Sequence, residues 1–266
     1  MKNIITIFFT LIFYTSINGQ PFKLLYKAHS HNDYRQTKPL YNSLENGFTS
    51  IEVDVYYKKN KLKISHLPTL LFLKKDIETL YLKPLQRIIK KNNGTVFKED
   101  SSQFTLMIDF KNDKEKIFTV LSQISNKYNG MFETYSPTSK TWGPIKMLLT
   151  GNPPLELYLK DSLKFALIDG SLQQMKNDRY QKWFGRISTN YKNHFSNTAD
   201  QLTEEEEIKM KNLVDSVHKA GYPFRFWNTE NYECNWEALL NYGCDVINID
   251  NLKNFRLFYL KYSSLH

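Results

Sequence analysis

Eight short apolar runs, separated by segments of helical periodicity, pass through this 266-residue chain, and that alternation leaves few architectures open. The runs are Lys23 to Ala28, Ser50 to Val55, Thr105 to Asp109, Ile145 to Leu149, Lys164 to Ile168, Arg186 to Ser188, Pro223 to Trp227 and Asp245 to Ile249. Between them the spacing predicts helices that include Asp76 to Lys91, Lys114 to Lys127 and Thr203 to Ala220. The last has a strong start signal. Thr203 caps it, Glu206 closes a capping box, and Glu204 to Glu207 set negative charge against the positive end of the helix dipole. Gly221 then ends it as a left-handed C-cap. Eight strands alternating with helices predict one (β/α)8 barrel, regular or irregular, over residues 20–266. An open doubly wound sheet competes, but no glycine-rich phosphate loop follows the first strand.

Residues 1–19 read as a signal peptide. Lys2 supplies a positive start, Ile4 to Tyr14 is an apolar run too short to span a bilayer, and Gly19 is a cleavage edge before Gln20. The expectation is an exported protein, secreted or periplasmic, with an uncleaved anchor as the alternative. The formal charge of +9, from 36 Lys and Arg against 27 Asp and Glu, invites a nucleic-acid reading. The lysines look scattered among Asn, Ile, Tyr and Phe, so a solvated Lys-rich surface is expected and no nucleic-acid partner. Two cysteines exclude a disulfide framework and a Cys-based structural zinc site; Cys234 and Cys244 either pair or are two buried thiols.

Chemistry in such a barrel sits at the carboxyl ends of the strands. Glu52 and Asp54, two apart on the second strand, point to one face, while Ile51, Val53 and Val55 point to the other. Two carboxylates aimed into a barrel carry a heavy desolvation cost unless a cation neutralises them. Asp109, placed two strand positions further round, completes an oxygen-only set, which selects Mg2+ or Ca2+ over zinc. The plainer reading pairs these acids with Lys63 or Lys111. His29 and His31 end the first strand, and a hairpin around Lys59-Asn60-Lys61 returns the chain so that His66 nears the same rim. Imidazoles facing a metal suit general acid–base work, because their pKa lies near the operating pH.

The layout His29, Glu52-x-Asp54, His66, Asp109-x-Lys111 resembles the phospholipase C-like phosphodiesterase superfamily, which includes the glycerophosphodiester phosphodiesterases. The string His29-Ser30-His31-Asn32-Asp33-Tyr34, followed by Pro39 to Gly47, is similar to the branch containing the fungal altered inheritance of mitochondria protein 6 group and its secreted bacterial relatives. Phe226-Trp227-Asn228 and Gly243 to Ile247 support it. The resemblance implies a TIM-barrel phosphodiesterase holding one divalent cation on Glu52, Asp54 and Asp109. His29 and His66 would be its acid–base pair, with His31 as the alternative to His29. Lys111 would sit near the phosphate, and Trp227 with Asn228 would line the substrate pocket. Two departures stand out. Ser30 occupies the place of a phosphate-gripping arginine found in many glycerophosphodiester enzymes, and Asp109 stands where many of them have Glu. The expected partner is a small-molecule or lipid phosphodiester, with peripheral membrane contact compatible with the basic surface.

Two other classes compete. A zinc amidohydrolase would use His29-x-His31 with a later histidine such as His194; His218 is expected to face solvent. A non-catalytic glycan- or lipid-binding barrel would present Tyr56, Tyr57, Tyr128, Tyr135, Trp142, Trp183 and Trp236, although packing accounts for such aromatics equally well. The segment Tyr128 to Pro144 is either a lid using Tyr135 and Trp142 or an outer insertion. Leu70-Leu71 and Phe72-Leu73 are expected to pack in the core, with membrane contact as the alternative. Asn93-Gly94-Thr95 is a glycosylation sequon or an ordinary turn, and Asp250 is expected to cap the final helix.

Overall fold

The computed structural model describes residues 23–98 and 100–265, so the predicted signal segment lies outside the described residues. In chain order the strands are β1 (Leu25–Ser30), β2 (Phe48–Lys58), β3 (Lys61–Ile64), β4 (Phe104–Phe110), β5 (Thr134–Tyr135), β6 (Lys140–Thr141), β7 (Ile145–Thr150), β8 (Leu167–Gly170), β9 (Phe184–Asn190), β10 (Phe224–Trp227) and β11 (Val246–Ile249). The helices are α1 (Tyr41–Glu45), α2 (Lys83–Lys91), α3 (Lys114–Lys127), α4 (Leu155–Lys160), α5 (Glu204–Lys219), α6 (Glu233–Asn241) and α7 (Leu252–Leu265). Eight strands pair in parallel in the order β1-β2-β4-β7-β8-β9-β10-β11, and β11 pairs back onto β1. The sheet is therefore a closed (β/α)8 barrel, built from the eight runs read in the sequence. It is irregular: only short 3-10 turns join β8 to β9, and α1 and α4 are little more than one turn.

The hairpin after β2 is as expected. β3 runs back antiparallel along it, and Lys59 and Asn60 both take positive φ (49° and 59°), as a two-residue turn matched to strand twist demands. α3 has the expected bounds, and α5 carries both bonds of the predicted capping box, Thr203 Oγ1 accepting from the Glu206 amide and the Glu206 carboxylate from the Thr203 amide. The helix expected from Asp76 begins differently, as a π-helical turn over Glu78–Leu82 that leads into α2.

Strand alternation separates two environments. Outward positions such as Ile51, Val53, Val55, Leu106, Ile108, Ile247 and Ile249 are buried beneath the helices and make the apolar core. The inward positions of β8 to β11 hold a charged network instead of the branched aliphatic layers common in such barrels. Asp169 accepts from Arg186 Nε at 3.0 Å and from Arg225 Nη2 at 3.1 Å, and Ser188 Oγ donates to it at 2.6 Å. Arg225 also donates to Ser188 Oγ and to Asn248 Oδ1. Burial pushes the Asp169 pKa up, but the two guanidinium groups more than reverse that and hold it below the ordinary range.

The segment from Tyr128 to Pro144 packs at the amino ends of the strands: Phe104 at the start of β4 bonds to Pro144, and Tyr135 pairs with Lys164 ahead of β8. It is an outer insertion at the end opposite the acids, not a lid. Of the aromatics offered as a binding surface, Tyr56, Tyr128, Tyr135, Trp183 and Trp236 are buried, Tyr57 is half-buried and Trp142 is exposed, so packing accounts for most of them. Cys234 is exposed and Cys244 buried, and they are not paired. Asn93 and Gly94 form a turn with positive φ at both residues.

Candidate active site

The acids converge because β2 and β4 are immediate neighbours, with Asp54 directly opposite Asp109 and Glu52 opposite Met107. This corrects the expectation that Asp109 stands two strand positions away. Oxygens of Glu52, Asp54 and Asp109 lie within 4.8 Å of one another. Among the described residues they are the one group of three or more His, Cys, Asp or Glu side chains with ligand atoms that close. Asp54 has no exposure, and its Oδ1 makes no hydrogen bond. A buried carboxylate oxygen without a donor, aimed among two further carboxylates, fits a bound cation, and an all-oxygen set suits a hard one.

Lys111, two residues past Asp109, donates to Asp109 Oδ2 at 2.6 Å and lies 3.3 Å from Asp54 Oδ2. The plainer expectation of a Lys111 pairing is therefore met in geometry, while Lys63 is turned to the Lys74 carbonyl and takes no part. Burial lowers the Lys111 pKa, and its bond and charge contact with Asp109 more than compensate, so the ammonium is held charged. Asp109 responds the other way: burial raises its pKa in spite of Lys111. For Glu52, burial acts upward, but the His29 bond and the Arg225 charge reverse it and bring the value to about 2.

The three histidines are not equivalent. His66 Nδ1 donates to Asp54 Oδ2 at 2.9 Å, and the ring is half exposed, which leaves Nε2 facing the mouth of the site. His31 is also at the rim, with Nδ1 donating to Asp250 Oδ1 at 2.9 Å and Nε2 accepting from the Asn32 amide. Burial lowers its pKa, but the Asp250 bond and the Glu52 charge outweigh that and raise it. His29 is fully buried, with Nδ1 2.6 Å from Ser50 Oγ and Nε2 3.5 Å from Glu52 Oε2. Its burial drives the pKa down to about 3, so it is neutral.

Asp250 thus serves His31 and not a helix cap. His29 and His31 face different partners, and His194 Nε2 lies 3.0 Å from Thr189 Oγ1, so no shared zinc site gathers them. His218 lies on the outer end of α5 against Asp245, as expected. Trp227 is 43 % exposed at the end of β10, and Asn228, at φ 61°, donates to Asn190 Oδ1, so both line the rim.

Four supporting residues carry no isolated signal in the sequence. Asp33 is a buried knot for the loop after β1: it accepts from Ser30, Ser43, the Leu40 amide and Tyr81. Tyr34 Oη lies 2.8 Å from both Asp54 Oδ2 and Asn32 Oδ1, and its single proton serves one at a time. Arg225 Nη1 stands 3.7 Å from Glu52 Oε2. Its remaining nitrogens are committed within the barrel, so it does not replace the arginine missing at Ser30. Gly151, at φ 70°, follows β7 so closely that a Cβ would overlap Asp109 Oδ1. Gly151→Ala is expected to cost at least about 1–2 kcal/mol from the left-handed backbone alone, or roughly 2–8 °C in Tm. It should also weaken cation binding by displacing Asp109. An unchanged melting curve and cation isotherm would contradict the packing described.

A family model described as the AIM6-like phosphodiesterase domain matches residues 23–167. Altered inheritance of mitochondria protein 6 of Saccharomyces cerevisiae is 25% identical over 85% of this chain and 68% of its own length. A homologue of that protein from Arthroderma benhamiae is 24% identical over 85% of this chain and 81% of its own. Among solved structures, a glycerophosphodiester phosphodiesterase from Parabacteroides distasonis superposes with TM-score 0.54 at 12% identity, covering 89% of this chain and 98% of that one. One from Agrobacterium tumefaciens gives 0.53 at 11%, covering 89% and 100%. An Oleispira antarctica phosphodiesterase, solved with its product sn-glycerol-3-phosphate, gives 0.51 at 12%, covering 88% and 96%. At these identities the structural likeness establishes the barrel fold.

Proposed function

The chain belongs to the AIM6-like phosphodiesterase domain family, and from that premise we propose that it is a divalent-cation-dependent phosphoric diester hydrolase. The observation that carries this reading is the cluster of buried Glu52 and Asp54 with half-buried Asp109, and His66 bonded to Asp54. Those three carboxylates would hold Mg2+ or Ca2+, which when bound sets positive charge against a non-bridging phosphate oxygen.

The protein's own groups then have distinct tasks. Asp54 fixes the His66 tautomer with the proton on Nδ1, so Nε2 takes the proton of the attacking hydroxyl or water. His31, oriented by Asp250 in the same manner, is the rim imidazole that acts in its protonated form, giving up the Asn32 contact at Nε2 and passing that proton to the leaving oxygen. His29 has no surface to offer a substrate; it holds Glu52 in place as a neutral ring. Lys111 offsets the repulsion between Asp54 and Asp109 and adds a positive charge beside the phosphate. Trp227 and Asn228 bound the pocket at the end of β10. The substrate class proposed is a glycerophosphodiester or phospholipid headgroup, supported by the product held in the Oleispira antarctica structure. Export, read from residues 1–19, is part of the same proposal.

The test is hydrolysis of bis(p-nitrophenyl) phosphate and of a glycerophosphodiester by the purified protein with Mg2+, Ca2+ or a chelator. Turnover should vanish with the chelator and return with one of the ions. Turnover that survives chelation, or absence of any saturable cation binding, would overturn the reading.

A further inference from the structure

His66 opens a surface loop whose other residues the reaction does not use. Backbone bonds close its neck, the Ile64 amide donating to the Lys75 carbonyl at 3.0 Å while Lys63 pairs with Asp76. Inside it the Leu73 amide donates to the Leu70 carbonyl at 2.9 Å, and Ser65 Oγ donates to the Leu67 carbonyl at 2.7 Å. This is a compact Ω-type loop. Between residues 66 and 75 Leu71 alone is buried, and it pins the loop from within. The sequence expectation that Leu70 to Leu73 pack in the core is therefore met at one residue of four. Leu67 and Leu70 are each 59% exposed, Phe72 is 68% and Leu73 is 69%. A third of the large apolar side chains exposed among the described residues thus stand on seven consecutive positions, where scattered ones would be ordinary.

Charge sorts with them. Residues 58–75 contain Lys58, Lys59, Lys61, Lys63, Lys74 and Lys75 and no acid, so the lysines are less scattered than the whole-chain pattern suggests. β3 and the loop lie side by side, which sets an apolar crest within a basic field. The crest protrudes instead of forming a groove, so it suits a fluid phase better than a complementary protein surface, and its lysines select negative charge. No described helix is long and apolar enough to cross a membrane, so contact of this kind would be peripheral.

We propose that this loop docks the protein onto an anionic phospholipid bilayer, Leu67, Leu70, Phe72 and Leu73 entering the headgroup–acyl boundary while Lys58, Lys59, Lys74 and Lys75 meet lipid phosphates; Lys63 is turned to the Lys74 carbonyl and Lys61 lies 3.9 Å from Asp76. Docking there places the His66 rim, with Trp227 beyond it, against the headgroup layer. The docking stands without the enzymatic reading; the consequence, delivery of a lipid phosphodiester to the acidic cluster, rests on it.

Flotation of the full chain with vesicles of phosphatidylcholine, with and without phosphatidylglycerol, tests it. The wild type should bind the anionic vesicles at least about tenfold tighter than the neutral ones. Leu70→Ser/Phe72→Ser/Leu73→Ser should weaken that binding about 10- to 100-fold, and Lys74→Glu/Lys75→Glu should remove the preference for anionic lipid. Both variants should keep the wild-type melting temperature and the wild-type rate on bis(p-nitrophenyl) phosphate. Wild-type protein that ignores vesicles, or a triple variant that binds them as well as wild type, overturns the proposal. So does gel filtration showing a dimer that the triple variant splits, since the crest would then seat a second copy of the chain. Vesicle binding lost in the variants, with no phosphodiester turnover in the wild type, would overturn the enzymatic reading and uphold the docking.

Discussion

Asp54→Asn should yield a protein that folds at least as well as the wild type, binds no divalent cation, and turns over phosphodiesters roughly 100- to 1,000-fold more slowly or not at all. The amide has nearly the shape of the carboxylate, and its oxygen can still accept from Tyr34, His66 or Lys111, which now cluster on Oδ2. Losing one of three adjacent negative charges relieves repulsion that Lys111 only partly offsets, so the melting temperature should hold or rise. Activity should not survive, because charge stabilisation by a bound metal is worth several kcal/mol and each increment of about 1.4 kcal/mol is tenfold in rate. Calorimetric titration with Mg2+ and Ca2+, a melting curve and a rate on bis(p-nitrophenyl) phosphate together decide the matter. An Asp54→Asn protein that retains turnover would remove the acidic cluster from the mechanism.

His66→Ala should separate the two functions that Asp54→Asn loses together. The ring is half exposed and touches the cluster through one bond to Asp54, so its removal should leave cation affinity and folding close to wild type. Turnover should fall by about 100- to 10,000-fold, the usual contribution of a positioned acid–base group. Added imidazole should restore part of the rate, which a merely structural loss would not allow. Full activity in His66→Ala would exclude it as the proton-transfer group and shift attention to His31.

How much of this was legible in the residues depends on how local the signal is. The period-2 alternation of β2 and the Glu52-x-Asp54 spacing fix which side chains face inward, and neither needs anything distant. The eight strands follow for the same reason, although their ends differ by a few residues from the structure. The position of the insertion was open to argument from topology alone: a segment between α3 and the next parallel strand must lie at the amino ends. By contrast, the bond between His31 and Asp250 joins the first and last strands and leaves no mark in either neighbourhood. Tyr34 likewise meets Asp54 across twenty residues of loop and helix. Leu70 to Leu73 show the limit of pattern reading most plainly, because a short apolar run looks alike whether it packs inward or crests a turn.

Glu52 belongs to two systems at once, the acidic cluster and, through Arg225, the ionic lattice inside the barrel. Its loss would leave a buried guanidinium short of an anion, at a cost of order 3 kcal/mol. His66 carries no such obligation. A lineage released from catalysis can therefore shed the imidazole in a single step and keep its fold, whereas the glutamate is held by the architecture long after the chemistry has gone. Among natural variants without the proposed activity, position 66 is therefore expected to vary before position 52.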